Sequence, residues 1–137
     1  MERIFCVIAL HVFRFTVPIM HTIELHTIDE WHDAISRNAS APHGMVILKF
    51  SPRCPISRSV EREFDAWCRG IADEAGVLCI KVDVVNSRPL SQHLAKELDV
   101  RHESPQAIWL TPEHTVRWHA SHYSVTQQAL TAQLPHE

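Results

Sequence analysis

The most restrictive feature of this sequence is the segment MVILKFSPRCPISRS, residues 45–59. An apolar run that stops at Ser51 and Pro52 is typical of a buried strand ending in a turn. A helical pattern begins directly afterwards, with Pro55 in its first turn, where the missing amide hydrogen of proline is not needed. The segment therefore predicts a strand–turn–helix unit that places Cys54 at the N-terminus of the helix.

The predicted position of Cys54 indicates a reactive thiol. Unpaired amide groups at a helix N-terminus stabilise a thiolate relative to a thiol, and the positive charge of Arg53 acts in the same direction. The alternative is an ordinary buried cysteine, because free cysteine is among the most buried residue types. The prolines on either side of Arg53 and Cys54 favour an accessible turn instead.

Length, composition and charge predict one globular domain. The chain has 137 residues, of which 45% are apolar and 21% charged, enough for a single core. The net charge of −3 is spread over interspersed acids and bases, so no basic stripe for nucleic acid is expected. The first apolar stretch is shorter than the ~20 residues of a membrane span. We expect a monomeric domain over residues 20–137, without membrane or nucleic-acid partners. Residues 1–19 are interpreted as a dispensable extension, a packed strand or a secretion signal.

The four cysteines, Cys6, Cys54, Cys68 and Cys79, lack the spacings of a disulfide framework or a zinc site. On one continuous helix, Cys68 would lie about 21 Å from Cys54, too far for a disulfide bond. Cys68 and Cys79 are expected to pack in the core. This cysteine usage predicts a reducing compartment, the cytoplasm, and no bound metal.

The rest of the chain alternates between strand and helix patterns. Thr27 and Glu30 form a capping box that opens the first helix, and Gly76 ends the helix that follows Cys54. The patterns predict strands at residues 21–26, 45–50, 77–85, 106–110 and 115–119, and helices near residues 27–35, 56–74, 89–99 and from 124 onward. This order predicts an α/β sandwich whose mixed central sheet carries helices on both faces.

Several motifs together resemble one family. The Cys54 turn, the long helix and the Ser104-Pro105 pair before a strand and hairpin are similar to the thioredoxin fold. In detail, RCPIS at residues 53–57, KVDV at 81–84, ESPQ at 103–106 and WHASH at 118–122 resemble the monothiol bacilliredoxins. These small cytosolic thioredoxin-like proteins remove the low-molecular-weight thiol bacillithiol from mixed disulfides.

The resemblance implies a role for each matching residue. Cys54 would be the nucleophile. Pro105 would be a cis-proline that turns the backbone of Ser104 toward an extended partner. Ser57 occupies the place of the second cysteine of dithiol relatives, where a hydroxyl can bond the thiolate but cannot resolve a mixed disulfide. The residues expected to bind the substrate are Arg53, Pro55, Ile56, Ser57, Ser104, Pro105 and His122.

The implied activity is reduction of S-thiolated client proteins, with bacillithiol as co-substrate and no bound cofactor. Leu48, six residues before Cys54, replaces the buried acid of dithiol thioredoxins, which a one-cysteine mechanism does not need. Two alternatives stay open: a sensor or binding module in which Cys54 is merely modified, and an iron–sulfur carrier. Against the iron–sulfur carrier, this sequence lacks the glycine that follows the nucleophile in monothiol glutaredoxins. Arg58 and Arg62 are predicted to lie on a solvated helix face.

Overall fold

The structure, a computed structural model, describes residues 22–37 and 41–135. The predicted extension over residues 1–19 and the predicted domain start at residue 20 lie outside these ranges. The strands are β1 (Ile23–Leu25), β2 (Met45–Phe50), β3 (Leu78–Asp83), β4 (Gln106–Leu110) and β5 (Val116–Ser121). The helices are α1 (Ile28–Arg37), α2 (Pro55–Trp67), α3 (Asp73–Ala75), α4 (Arg88–Glu97) and α5 (Gln127–Ala132). A π-helical turn, Cys68–Ala72, joins α2 to α3, and a 3₁₀ turn, His122–Ser124, precedes α5.

The five strands form one mixed sheet in the order β1-β3-β2-β4-β5. The strand β2 runs parallel to β3 and antiparallel to β4, and all six of its residues are buried. One face of the sheet packs against α1 and α4 through residues such as Trp31 and Leu94. The other face packs against α2 and α5 through residues such as Phe64 and Leu130. The predicted three-layer α/β sandwich is confirmed.

Two local sequence signals act as predicted. The Thr27 side chain accepts a hydrogen bond from the amide of Glu30 at 3.1 Å, and the Glu30 carboxylate accepts one from the amide of Thr27 at 3.0 Å. Gly76 adopts a left-handed φ of 74°, and a Cβ atom there would lie 2.6 Å from Pro42 Cγ. Glycine is therefore needed where the chain leaves the helical segment and turns back into β3.

One prediction about the cysteines was wrong. Cys68 and Cys79 are buried as predicted, but they are joined in a disulfide bond. The reversal at Gly76 folds β3 back against the end of the helical segment and brings the two sulfurs together. Their separation of 11 residues matches no motif spacing, which is why the pattern missed the pair.

We predict that this disulfide stabilises the domain measurably. Closing a loop with a separation of 11 residues restricts the unfolded chain by about 3 kcal/mol. The double substitution Cys68→Ala/Cys79→Ala should lower the free energy of unfolding by about that amount in urea titrations without reductant. Wild type titrated with reductant is the matched control and should lose a similar amount. An unchanged unfolding midpoint on reduction of the wild type would contradict the assignment.

Candidate active site

Cys54 lies where the sequence analysis placed it, directly before the first residue of α2. Its backbone is extended, with φ −101° and ψ 123°, and Pro55 starts the helix. The Cys54 amide donates to the carbonyl of Ser51 at 3.3 Å, and its own carbonyl accepts from the amide of Arg58 at 3.0 Å. The side chain is partly exposed, and it is the free cysteine of the described residues. The thiol is therefore accessible at the positive end of the helix.

Ser57 stabilises the loop that carries Cys54. Its side chain is fully buried, and its Oγ accepts a hydrogen bond from the amide of Ser51 at 2.7 Å. Among the described residues, no hydrogen bond joins Ser57 to Cys54. The structure thus shows a different role from the thiolate contact that the sequence suggested, because the hydroxyl ties the start of the loop to the first turn of α2.

The segment with Ser104 and Pro105 borders the Cys54 loop. The peptide bond between these two residues is cis, as the resemblance implied. Gln106 pairs with Lys49 across β4 and β2, so the bend lies beside the end of β2, from which the loop to Cys54 starts. The Ser104 amide and carbonyl have no hydrogen-bond partner within the described part of the chain. An extended peptide could pair with them.

His122 is attached to the same bend. Its amide donates to the carbonyl of Pro105 at 2.8 Å, and its Nδ1 lies 3.5 Å from the Glu103 carboxylate. His122 has a left-handed φ of 56°, which turns the chain out of β5. The structure therefore brings His122 together with Ser104 and Pro105, as the sequence analysis expected. The neighbouring Tyr123 is 72% exposed.

The other predicted binding residues form the exposed rim of the site. Arg53, Pro55 and Ile56 are all exposed, and Ile56 leaves 37% of its surface open. Arg58 and Arg62 are exposed on the outer side of α2, in agreement with the predicted solvated face. Leu48, the residue in place of the acid of dithiol thioredoxins, is completely buried. The accessible surface around Cys54 is thus partly apolar and partly cationic.

Asp83, the last residue of β3, accepts hydrogen bonds from the turn that follows and lies within the electrostatic influence of Arg53. Its carboxylate accepts hydrogen bonds from the amides of Val85 at 2.8 Å and Asn86 at 2.9 Å, and from the Asn86 side chain at 2.8 Å. Burial by itself would raise the pKa of Asp83, but the hydrogen bonds from Asn86 and Val85 and the charge of Arg53 outweigh it and lower the pKa. An ionised Asp83 therefore caps this turn next to the active-site loop.

Lys49 is a buried cation that the sequence analysis missed. Its side chain is fully buried under α4, and its Nζ donates to the carbonyl of Ser91 at 3.1 Å. Burial lowers the pKa of Lys49 to about 8. A lysine inside the apolar run of β2 was a visible signal, because charged residues are almost never fully buried without a partner. No salt bridge to Lys49 is found in the described ranges.

A cavity of about 260 Å³ includes Ser91, the hydrogen-bond partner of Lys49, in its lining. The lining residues are Val84, Val85, Arg88, Ser91, Gln92 and His102. Desolvation, followed by the charges of Lys49 and Arg88, lowers the pKa of His102. The cavity lies between the turn after β3 and the chain that leads to Ser104, so it belongs to the same edge of the sheet as Cys54. Lys49, Arg53 and Arg88 place positive charge at this edge, beside the carboxylates of Asp83 and Glu103.

The fold and the site together define a thioredoxin-like thiol–disulfide redox protein whose active-site motif has a single cysteine. Residues 23–130 match the family model described as monothiol bacilliredoxin BrxC, and the chain belongs to this family.

Solved structures agree with this assignment. A proposed oxidoreductase with a thioredoxin fold is 28% identical, with a TM-score of 0.68 over 82% of this chain and 92% of the other. A thioredoxin from Nicotiana alata is 15% identical, with a TM-score of 0.64 over 86% and 93% of the two chains. Fasciola hepatica thioredoxin is 18% identical, with a TM-score of 0.62 over 84% and 96%. The two thioredoxins support the fold alone. Among the described residues, no helix is both long and apolar enough to cross a membrane.

The buried amine of Lys49 predicts a pH-dependent stability. Because its pKa is about 8 in the folded protein and about 10.4 in an unfolded chain, the unfolded state binds more protons between these values. The free energy of unfolding should therefore rise as the pH increases from about 8 to about 10. At pH 7 the full free-energy cost of burying the charged amine is present. Lys49→Met should raise the free energy of unfolding at pH 7 by on the order of 3 kcal/mol and remove this rise.

Urea unfolding at pH 7 and pH 10 checks this prediction. Lys96→Met, which alters an exposed lysine at the end of α4, is the matched control and should change little at either pH. A Lys49→Met variant that is less stable than wild type at pH 7 would show that the ammonium group, and not the space that it fills, stabilises the fold.

Proposed function

We propose that the protein removes a small thiol, bacillithiol, from mixed disulfides on client proteins in the cytoplasm, acting as a monomer through Cys54. The observation that carries this proposal is an accessible thiol at the N-terminus of α2 with a serine, Ser57, in place of a second cysteine. Family membership and the oxidoreductase fold support the redox class. The identities of the small thiol and of the client proteins are part of the proposal.

The first step is a thiol–disulfide exchange. The Cys54 thiolate attacks the sulfur that belongs to the small thiol, and the bond between that sulfur and the client sulfur breaks. The client leaves as a thiolate and takes a proton from solvent, while a new disulfide joins Cys54 to the small thiol. The helix N-terminus and Arg53 favour the attacking thiolate by compensating its negative charge.

The surroundings of Cys54 suit an extended client segment. The free amide and carbonyl of Ser104, in the bend before β4, offer two backbone hydrogen bonds to an extended segment. The exposed side chain of Ile56 provides an apolar contact next to the sulfur. Because backbone groups make the main contacts, recognition depends little on the client sequence.

Because Cys54 is the free cysteine of the described residues, the proposed second step uses a thiol from solution. Ser57 cannot form a disulfide, and Cys68 is buried and already paired with Cys79. A second molecule of the small thiol attacks the adduct at the small-thiol sulfur, which yields the small-thiol disulfide and regenerates the Cys54 thiolate. The positive charges of Arg53 and Arg88 at this edge favour an acidic small thiol over a neutral one.

The decisive experiment combines the protein with a model protein capped by bacillithiol and measures the intact masses of both partners. We expect the client to lose the adduct mass and the protein to gain it at Cys54, with slower transfer from a client capped by neutral 2-mercaptoethanol. Cys54→Ser is the matched control and should leave the client capped. Adduct formation with free oxidised thiol, without any loss from the client, would favour the sensor instead.

Introducing a second cysteine should change the fate of the adduct. In Ser57→Cys, the new thiol lies in the first turn of α2 and can attack the Cys54 adduct within the same molecule. We expect the adduct to disappear and a disulfide to form between Cys54 and the introduced thiol, with release of the small thiol. Ser57→Ala should accumulate the adduct as wild type does but unfold at lower urea, because the Ser51 amide loses its acceptor. A stable adduct on Ser57→Cys would contradict the proposed geometry.

A further inference from the structure

Two helices on the face of the sheet opposite α2 bring three potential metal ligands together. His32 lies on α1, and His93 and Glu97 lie one turn apart on α4. We propose that these three side chains form a binding site for a divalent transition metal, of which Zn²⁺ fits best. Two imidazoles and one carboxylate are a ligand set that zinc accepts, with a water molecule completing the tetrahedron. The site is independent of Cys54.

The ligand atoms are already close to the required spacing. Zinc bonds of about 2.0–2.1 Å place neighbouring ligand atoms in a tetrahedron about 3.3 Å apart. The Glu97 Oε1 atom lies 3.2 Å from His93 Nε2 and 3.7 Å from His32 Nε2. All three ligand atoms lie within 4.8 Å of one another. The His32–Glu97 distance has to shorten by about 0.4 Å to reach this spacing. His32 is exposed and His93 partly exposed, so both can rotate.

A buried tryptophan holds the carboxylate in position. The indole Nε1 of Trp31 donates a hydrogen bond to Glu97 Oε2 at 2.7 Å, and Trp31 is completely buried. This bond occupies one carboxylate oxygen and leaves Oε1 facing the two histidines. Outer hydrogen bonds of this kind orient metal ligands and raise their affinity for the metal. The His32 and His93 rings also meet edge to face, with centroids 5.5 Å apart.

A metal at this site would join α1 to α4. Because these helices share one hydrophobic cluster, the bound ion would stabilise the helical layer that packs over Lys49. The expectation of no metal was based on the cysteine spacings alone. His32 and the α4 ligands are far apart in the chain and match no short motif. Only the packing of the two helices brings them together.

Calorimetric titration of the full chain with ZnCl₂ tests the proposal, after the free thiols have been capped with iodoacetamide so that they cannot compete. We expect one saturable site in the wild type and an increase in the thermal unfolding temperature on saturation. His93→Gln and Glu97→Gln should each weaken Zn²⁺ binding by about ten-fold or more. Glu97→Gln retains an oxygen that can accept the Trp31 hydrogen bond, so the helix packing is preserved. His119→Gln, which alters an exposed histidine on β5, is the control and should bind as wild type.

Cobalt gives an independent readout. Co²⁺ in a tetrahedral His₂Glu site should produce visible absorption bands that weaken in His93→Gln and Glu97→Gln but persist in His119→Gln. Absence of saturable Zn²⁺ binding by the wild type would overturn the proposal. Equal binding by wild type and both ligand variants would overturn it as well, because the ion would then lie elsewhere.

Discussion

The central strand β2 is the constraint on which the rest of this structure depends. Its residues are buried on both faces, and its backbone is paired with β3 on one side and with β4 on the other. A slip of one residue would exchange the two faces and move Lys49 from α4 to α2, so the register is strongly determined. Because the register is fixed, the end of β2 delivers Cys54 to the start of α2 beside the Ser104 bend.

Local signals in the sequence were sufficient for the elements and for the position of the nucleophile. These signals involve residues that are close in the chain, so a sequence pattern can reveal them. They are the capping box at Thr27, the turn at Gly76 and the proline after Cys54. The Cys68–Cys79 disulfide and the bond from Lys49 to Ser91 arise from packing between separate elements, so their partners depend on the tertiary fold. Lys49 was visible as a charge in an apolar run, but its partner was not. The Ser57–Ser51 hydrogen bond depends on how the turn between β2 and α2 folds.

The two faces of β2 explain how the site differs from a dithiol one. Leu48 points toward α2 and leaves no acid near the place of a second cysteine, where Ser57 instead binds the backbone of Ser51. On the other face, the buried Lys49 donates to the carbonyl of Ser91, a residue that lines the cavity together with Arg88 and His102. Leu48 adds no negative charge to this edge of the sheet, whereas Lys49 and Arg88 add positive charge near His102.

The separation between Cys54 and the Cys68–Cys79 disulfide follows from the length of α2. Its 13 residues span about 20 Å, and the disulfide lies beyond its C-terminal end, whereas Cys54 lies before its N-terminal end. Exchange between Cys54 and this disulfide would require α2 to unfold, because thiolate attack needs contact with a disulfide sulfur. Within the described residues, the fold therefore keeps a structural disulfide in its core, out of reach of Cys54, whose thiol stays accessible from solution.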